Sequence, residues 1–374
     1  MLVLVAALGC QGEAKKKKPA TGQSGGETAA KAGPALEDGI PSPWPAKPDG
    51  RFESKPWLAD GLRVAASAAP SPVVAVARVN KITLYDPSGK VVSDFDMAGT
   101  PQVLEFLDVD GDGVPELVAG AGLGRETREA TTRFVVADGK GWTQIKTIDL
   151  GQSERHQVVD VAVDGQGVLW VAHFVSKYIV GISTVDAKAG TAKRIFNRRM
   201  VGGIGFAGSG DAERLALARV YGDARGKHGL VEIKIDGGFE ALPSLRGARA
   251  MASHQGSLVV ADGWHREYRA KGRALITRLM PRPKAWERQV LAYVKGPSGY
   301  SSLRVGDIDG DGKAEVVATG DGPAVAVPLD ATGELPARAL SAGSAAHAAV
   351  ADLDGDGASE VVIVGSEGGI WRSK

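Results

Sequence analysis

Residues 106–122 read FLDVDGDGVPELVAGAG, with three aspartates at alternate positions, two glycines among them, and then an apolar run. Close copies return as RVGDIDGDGKAEVVATG at 304–320 and AVADLDGDGASEVVIVG at 349–365. The glycines permit a tight curl, and the apolar residues that follow have the character of a strand. The chain therefore writes one acidic turn three times, each time leading into a strand.

From about Arg51 onward the whole sequence has this texture. Short apolar runs such as VVAVARV, RFVVAD, VLWVAHF, LALARVY, SLVVAD and EVVIVG are punctuated by Gly, Asp and Pro, with no helical stripe. Such a chain is all-β, and a repeat is the first thing to seek in it. The residue opening the strand after each acidic turn serves as a ruler: Glu116, Glu315 and Glu360. Fainter copies without the acids fall on the same frame at Pro72, Trp170, Glu213 and Ser257. From Pro72 to Glu360 the successive intervals are 44, 54, 43, 44, 58 and 45 residues. Seven units of about four strands each predict a seven-bladed β-propeller over residues 51–374, since propeller repeats run about 40–50 residues. After Glu360 only enough chain remains for two strands. RFESKPWLA, at 51–59, resembles the outer-strand segments VVSDFDMAG and LPARALSAG, so an N-terminal strand is expected to complete the last blade and close the ring.

The acidic turn D-x-D-G-D-G-x-x-E has the oxygen spacing of a calcium loop. Asp108, Asp110 and Asp112 alternate, the Val114 carbonyl can point inward, and Glu116 closes the set. Four carboxylates this close repel one another, and a hard divalent cation removes that cost. An EF-hand would place a bidentate Glu at loop position twelve and continue into a helix. Here that position holds Ala119, Ala318 and Ile363, and strand sequence follows, so the turn is not an EF-hand.

An acidic loop before a strand, repeated on a propeller frame, resembles the FG-GAP/VCBS repeats of the integrin α-subunit type. The resemblance covers about residues 51–374, with a specific motif in three blades and a faint one in four. It implies Ca2+ at three sites: Asp108, Asp110, Asp112, Val114 and Glu116; Asp307, Asp309, Asp311, Lys313 and Glu315; and Asp352, Asp354, Asp356, Ala358 and Glu360. Where the family often carries Asp, this chain has Glu116, Glu315 and Glu360. In such proteins calcium acts mainly as a structural clip between a blade's first and second strands, on the face away from the usual ligand.

The formal net charge of +1 hides a division, because the three acidic loops together carry −12 and leave +13 elsewhere. On a propeller, second-to-third strand loops and blade-linking loops open on the rim opposite the acidic turns. The two long intervals hold enlarged loops there, GLGRETREATTR and DGWHREYRAKGRA, and ARVYGDARGKHG is their counterpart in the fourth blade. They supply candidate ligand-binding residues Arg219, Tyr221, Asp262, Trp264, His265, Arg266, Tyr268, Arg269 and Arg273, with Lys177, Tyr178, Arg198 and Arg199 nearby. Arg beside aromatic rings suits an anionic or carbohydrate-like ligand. Taken singly, most of these residues read as a solvated rim; as a cluster they read as a binding surface.

The N-terminus MLVLVAALGCQG is an apolar run ending before the single cysteine, and it resembles a lipoprotein signal over residues 1–9 with lipidation at Cys10. The box Ala7-Leu8-Gly9-Cys10 departs from the usual pattern, which prefers Leu three residues before the Cys, and a basic n-region is lacking. Residues 10–50 are rich in Lys, Gly, Ala, Pro and Ser and read as a disordered tether.

No G-x-S-x-G, H-E-x-x-H, CxxC or P-loop is present, and no residue is assigned a catalytic role. His156 and His347 each precede a first strand, where they approach the central channel. The expected function is a calcium-stabilised, lipid-anchored, monomeric binding module of the bacterial cell envelope, at the outer membrane, periplasmic or surface-exposed. Its partner is a protein or an anionic glycan rather than nucleic acid. The alternative is a hydrolase or lyase acting on an anionic polysaccharide at the channel, with His265 or His156 as base.

Overall fold

The structure is a computed structural model that describes residues 50–97, 99–122, 131–137, 141–142, 144–153, 155, 157–219, 231–235, 238–242, 248, 250–262, 273–282, 285–295, 300–320, 322–330, 337–341 and 343–373. The expected signal segment, Cys10 and the expected tether up to residue 49 lie outside these. Among the described residues no helix is long and apolar enough to cross a membrane.

The chain is an all-β propeller of four-stranded antiparallel blades. After β1 (Arg51–Ser54), the first complete sheet is β2 (Arg63–Ser67), β3 (Val73–Arg78), β4 (Lys81–Tyr85) and β5 (Val91–Asp96). The next holds β6 (Thr100–Leu107), β7 (Glu116–Gly122), β8 (Thr131–Ala137) and β9 (Gln144–Gln152). Then come β10 (Val158–Val163), β11 (Leu169–Phe174), β12 (Ile179–Asp186) and β13 (Thr191–Arg199). They are followed by β14 (Val201–Ala207), β15 (Arg214–Arg219), β16 (Val231–Ile235) and β17 (Gly238–Leu242). Next are β18 (Ala250–His254), β19 (Ser257–Asp262), β20 (Arg273–Arg282) and β21 (Ala285–Lys295). β22 (Tyr300–Gly306), β23 (Glu315–Gly320), β24 (Val325–Pro328) and β25 (Arg338–Ala339) form another sheet. The last sheet runs β1, β28 (Gly369–Arg372), β27 (Glu360–Gly365) and β26 (Ala345–Ala351), joining the first and last strands of the fold.

The second strands open at Val73, Glu116, Leu169, Arg214, Ser257, Glu315 and Glu360, within one residue of the ruler positions read from the sequence. The ring is closed as expected, with β1 antiparallel to β28 from Arg51↔Arg372 to Ser54↔Gly369. The strand is shorter than RFESKPWLA, however. Pro56 lacks an amide donor, and Pro56–Leu58 turns into a short 3-10 segment that buries Leu58 against the last sheet.

Burial follows radial position. The second strands β3, β23 and β27 are almost wholly buried, because neighbouring sheets cover both their faces. The outer strands β5 and β13 alternate with solvent. The core is divided among the gaps between sheets. Leu84 and Ala75 of the first sheet meet Leu104 and Leu117 of the next, and Val64 and Val76 meet Val362 and Ile370 across the closure. Innermost strands pack in succession, β2 on β6, β6 on β10, and so on to β26 on β2. Five of them carry a register shift near their start, at Gln102, Val159, Gly202, Ser301 and Ala346. Such bulges re-aim side chains at the rim of a ring.

Candidate functional site

The three acidic turns join first to second strands and share one hydrogen-bond network. In the first, Asp108 Oδ1 and Oδ2 accept the Gly111 and Gly113 amides at 2.8 and 3.0 Å. Asp112 Oδ1 accepts the Val114 amide, and Glu116 Oε2 accepts the Val109 amide, both at 2.9 Å. Asp307 holds Gly310 and Gly312, Asp311 holds Lys313, and Glu315 holds Ile308 in the same way. Asp352, Asp356 and Glu360 repeat it with Gly355, Gly357, Ala358 and Leu353. Each turn needs left-handed glycines, with φ of 76° and 82° at Gly111 and Gly113, because two alternate amides must point back at one aspartate.

Carboxylate oxygens also converge in each turn. Carboxylates of Asp108, Asp110 and Glu116, of Asp307, Asp309 and Asp311, and of Asp352, Asp354 and Asp356 each lie within 4.8 Å of one another. Oδ1 of Asp309 is buried without a hydrogen-bond partner. An all-oxygen, carboxylate-rich donor set fits a hard cation of the Ca2+ type. Burial, then repulsion from the aspartates, raises the Glu116 carboxyl above its ordinary range. The same causes push Glu315 to about 7, with Arg338 opposing. Glu360 is raised by burial, and Asp354 is held low by its hydrogen bond from Glu360.

Two of the turns contain an internal counter-charge that the sequence did not announce. Arg338 on β25 donates to Asp309 at 2.8 Å and lies 3.9 Å from Glu315. Arg372 on β28 donates to Asp354 at 2.5 Å and lies 3.4 Å from Glu360. In the first turn an exposed lysine takes this place, with Lys188 Nζ 2.9 Å from the Asp110 carbonyl and 3.9 Å from its carboxylate.

The strands are antiparallel, so second-to-third loops and links into the next first strand leave from the opposite rim. Of the candidate ligand residues there, Tyr221, Trp264, His265, Arg266, Tyr268 and Arg269 lie outside the described residues. Asp262 ends β19 and Arg273 opens β20. Arg219 ends β15, buried, with Nε donating to the Arg199 carbonyl at 3.1 Å. Tyr178 is 44% exposed, with the Lys177 ammonium 5.1 Å and the Arg199 guanidinium 5.8 Å from its ring centre. Arg198 lies 4.3 Å over Phe239. Cations stacked on rings therefore do occur on this rim.

The sequence reading placed His347 near the channel but missed the ionisable cluster around it. A cavity of about 320 Å3 opens where the bulged ends of the inner strands converge. Arg304 on β22 forms an ion pair with Glu105 on β6, a residue 199 positions away. Glu105 and Arg304 stand at equivalent places, each two residues before the partner of the second strand's opening glutamate. Arg304 also donates to His347 Nε2 at 3.3 Å, which leaves the imidazole proton on Nδ1, 3.1 Å from the Val64 carbonyl. Burial, reinforced by Arg304 and Arg63, keeps this ring neutral. Asp160 on β10 accepts the Ile204 amide at 2.8 Å and the Val161 amide at 2.9 Å. Burial above all, then the charge of Glu105, pushes its carboxyl up to about 7. A charged letter inside an apolar run, as in VLEFL and VVDVAV, was the one available signal.

An FG-GAP-like repeat model matches residues 307–363, which run from the second acidic turn through β26 and the third turn into β27. No curated protein sequence matches the chain. Among solved structures, a chain of the "Crystal Structure of Mitotic Checkpoint Complex" is similar, with a TM-score of 0.53 and 16% identity over 93% of this chain and 98% of that one. BBS1N, in its crystal structure with ARL6DN soaked with mercury, gives 0.54 at 9% identity over 86% and 96%. These likenesses concern the fold alone.

Proposed function

We propose that this chain is a calcium-clipped, seven-bladed interaction module whose basic rim binds an envelope protein or anionic glycan. The observation that carries the reading is the division of the propeller into two rims. One bears the acidic turns, built for rigidity; the other is where β7 ends and β8 begins, where β19 ends and β20 begins, and where Lys177 and Arg199 stack on Tyr178. A β-propeller carrying an FG-GAP-like repeat fits an interaction module in general. The seven four-stranded sheets and the unbroken succession of inner strands support the blade count. The converging carboxylates support Ca2+ at the three turns. The apolar run before Cys10 and the Lys-rich tether support a lipid anchor that leaves the propeller free to reach a partner.

The test is retention of the full chain on arrays of anionic and neutral glycans, with cross-linking to envelope proteins in parallel. Replacing Arg266, Arg269 and Arg273 together by Ala is expected to lower retention at least tenfold with little change in melting temperature. Equal retention by the triple variant would move the binding surface away from this rim.

A further inference from the structure

The channel cavity has a chemistry separate from that of the rim loops. Its lining combines two chemistries: Arg63, Gln102, Ser302 and Arg304 are polar or cationic, and Val159, Phe174, Met200, Val201 and Met251 are apolar. Arg155 brings the two together, its guanidinium 4.9 Å over the Phe174 ring. At about 320 Å3 the space sits at the small end of the range for ligand pockets, about 300–1,000 Å3.

Charge decides what enters. Among the described residues, three guanidiniums, Arg63, Arg155 and Arg304, and two carboxyls, Glu105 and Asp160, line the space. Arginine does not deprotonate in proteins, so these three positive charges are permanent. Glu105 matches Arg304 directly. Asp160 already spends both oxygens on backbone amides of β10 and β14. The inner-strand bulges aim the lining inward, with Gln102 accepting Arg63 through its carbonyl at 2.9 Å and Gln157 through its side chain at 3.4 Å. A carboxylate meets guanidinium groups with two parallel hydrogen bonds, and burial strengthens that match. Apolar atoms on the same ligand would cover Phe174, Met200 and Met251 and displace water from them.

We propose that the channel binds a small amphipathic carboxylate, with its head at Arg63 and Arg155 and its apolar part against Phe174 and Met251. This site is independent of macromolecule binding at the rim, so either reading can fail without the other.

Calorimetric titration of the full chain with benzoate, hexanoate, acetate, benzamide and hexanamide in low salt tests it. Benzoate or hexanoate is expected to bind, with benzamide, hexanamide and acetate each at least tenfold weaker. Arg155→Gln should weaken benzoate at least tenfold while lowering the ligand-free melting temperature by only a few degrees, the cost of one cation–ring contact. Lys193→Gln, on the exposed strand β13, should change nothing. Amides that bind as well as acids, wild-type benzoate affinity in Arg155→Gln, or no carboxylate binding up to about 10 mM would each overturn the proposal.

Discussion

Two buried titrating side chains act in opposite directions across one pH window. His173 on β11 is fully buried, with Nε2 3.0 Å from Ser183 Oγ, and burial, then Arg194, lowers its imidazole to about 4. A lowered histidine stabilises the fold above its unfolded value near 6.5, and that contribution is lost as pH falls towards 4. Asp160 has the reverse sign. Its carboxyl is raised from 3.8 to about 7, so its contribution is complete below about 4 and is lost as pH rises through 7. Each is worth roughly 3–4 kcal/mol over the window. Urea midpoints measured from pH 4 to 8 should separate them. Asp160→Asn keeps one acceptor and should make stability climb more steeply with pH, whereas His173→Gln should flatten or reverse the climb. A profile unchanged in both variants would contradict these environments.

At the scale of the element, the acidic turn was legible because its chemistry is local. The aspartates, the left-handed glycines and the closing glutamate lie within nine residues, so spacing alone specifies the hydrogen-bond network. Arg338 and Arg372 were not legible, because they reach the turns from a fourth and a third strand, and only the register of β25 and β28 aims them. Glu105 and Arg304 were hidden for a similar reason, since they meet only when the ring closes. The arginines make the three turns unequal. A guanidinium already offsets part of the repulsion in the second and third turns, so an incoming cation gains less there. Melting curves with EDTA and with excess Ca2+ are expected to differ by several degrees, because an ion held only by the folded state stabilises it. Arg338→Gln should lower the melting temperature in EDTA and widen the gain from Ca2+. A gain no larger than wild type would show that the arginine does not compete. Gly111→Ala isolates the backbone: nothing lies within 4 Å of an added Cβ, so the cost is the left-handed φ of 76° alone, about 1 kcal/mol.

The whole molecule is held by ties between neighbouring sheets and by one closure. On the acidic rim the Gly165 amide donates to Glu213 at 2.8 Å, the Gly208 amide to the Gly256 carbonyl at 2.9 Å, and the Ser359 amide to the Asp307 carbonyl at 2.8 Å. Inner strands pack at every step from β2 on β6 round to β26 on β2, so the opening of any one joint is felt at the next. The seam between β1 and β28 is the joint that closes the first strand onto the last, through a β1 of only four residues. Gly369 sits at this seam, and a Cβ there would lie 2.4 Å from the Phe52 ring and 2.6 Å from the Glu53 carbonyl oxygen. Its backbone has no left-handed φ to relieve, so substitution acts through the clash alone. Gly369→Ala is expected to cost about 1–3 kcal/mol, a fall of several degrees in melting temperature. The displaced β1 would also uncover the edge of β28, a template for another chain. Light scattering should therefore report concentration-dependent association of Gly369→Ala that Gly111→Ala, which costs a similar amount at a turn, does not show. If both variants lose equal stability and stay equally monomeric, the seam is not the joint that guards the ring.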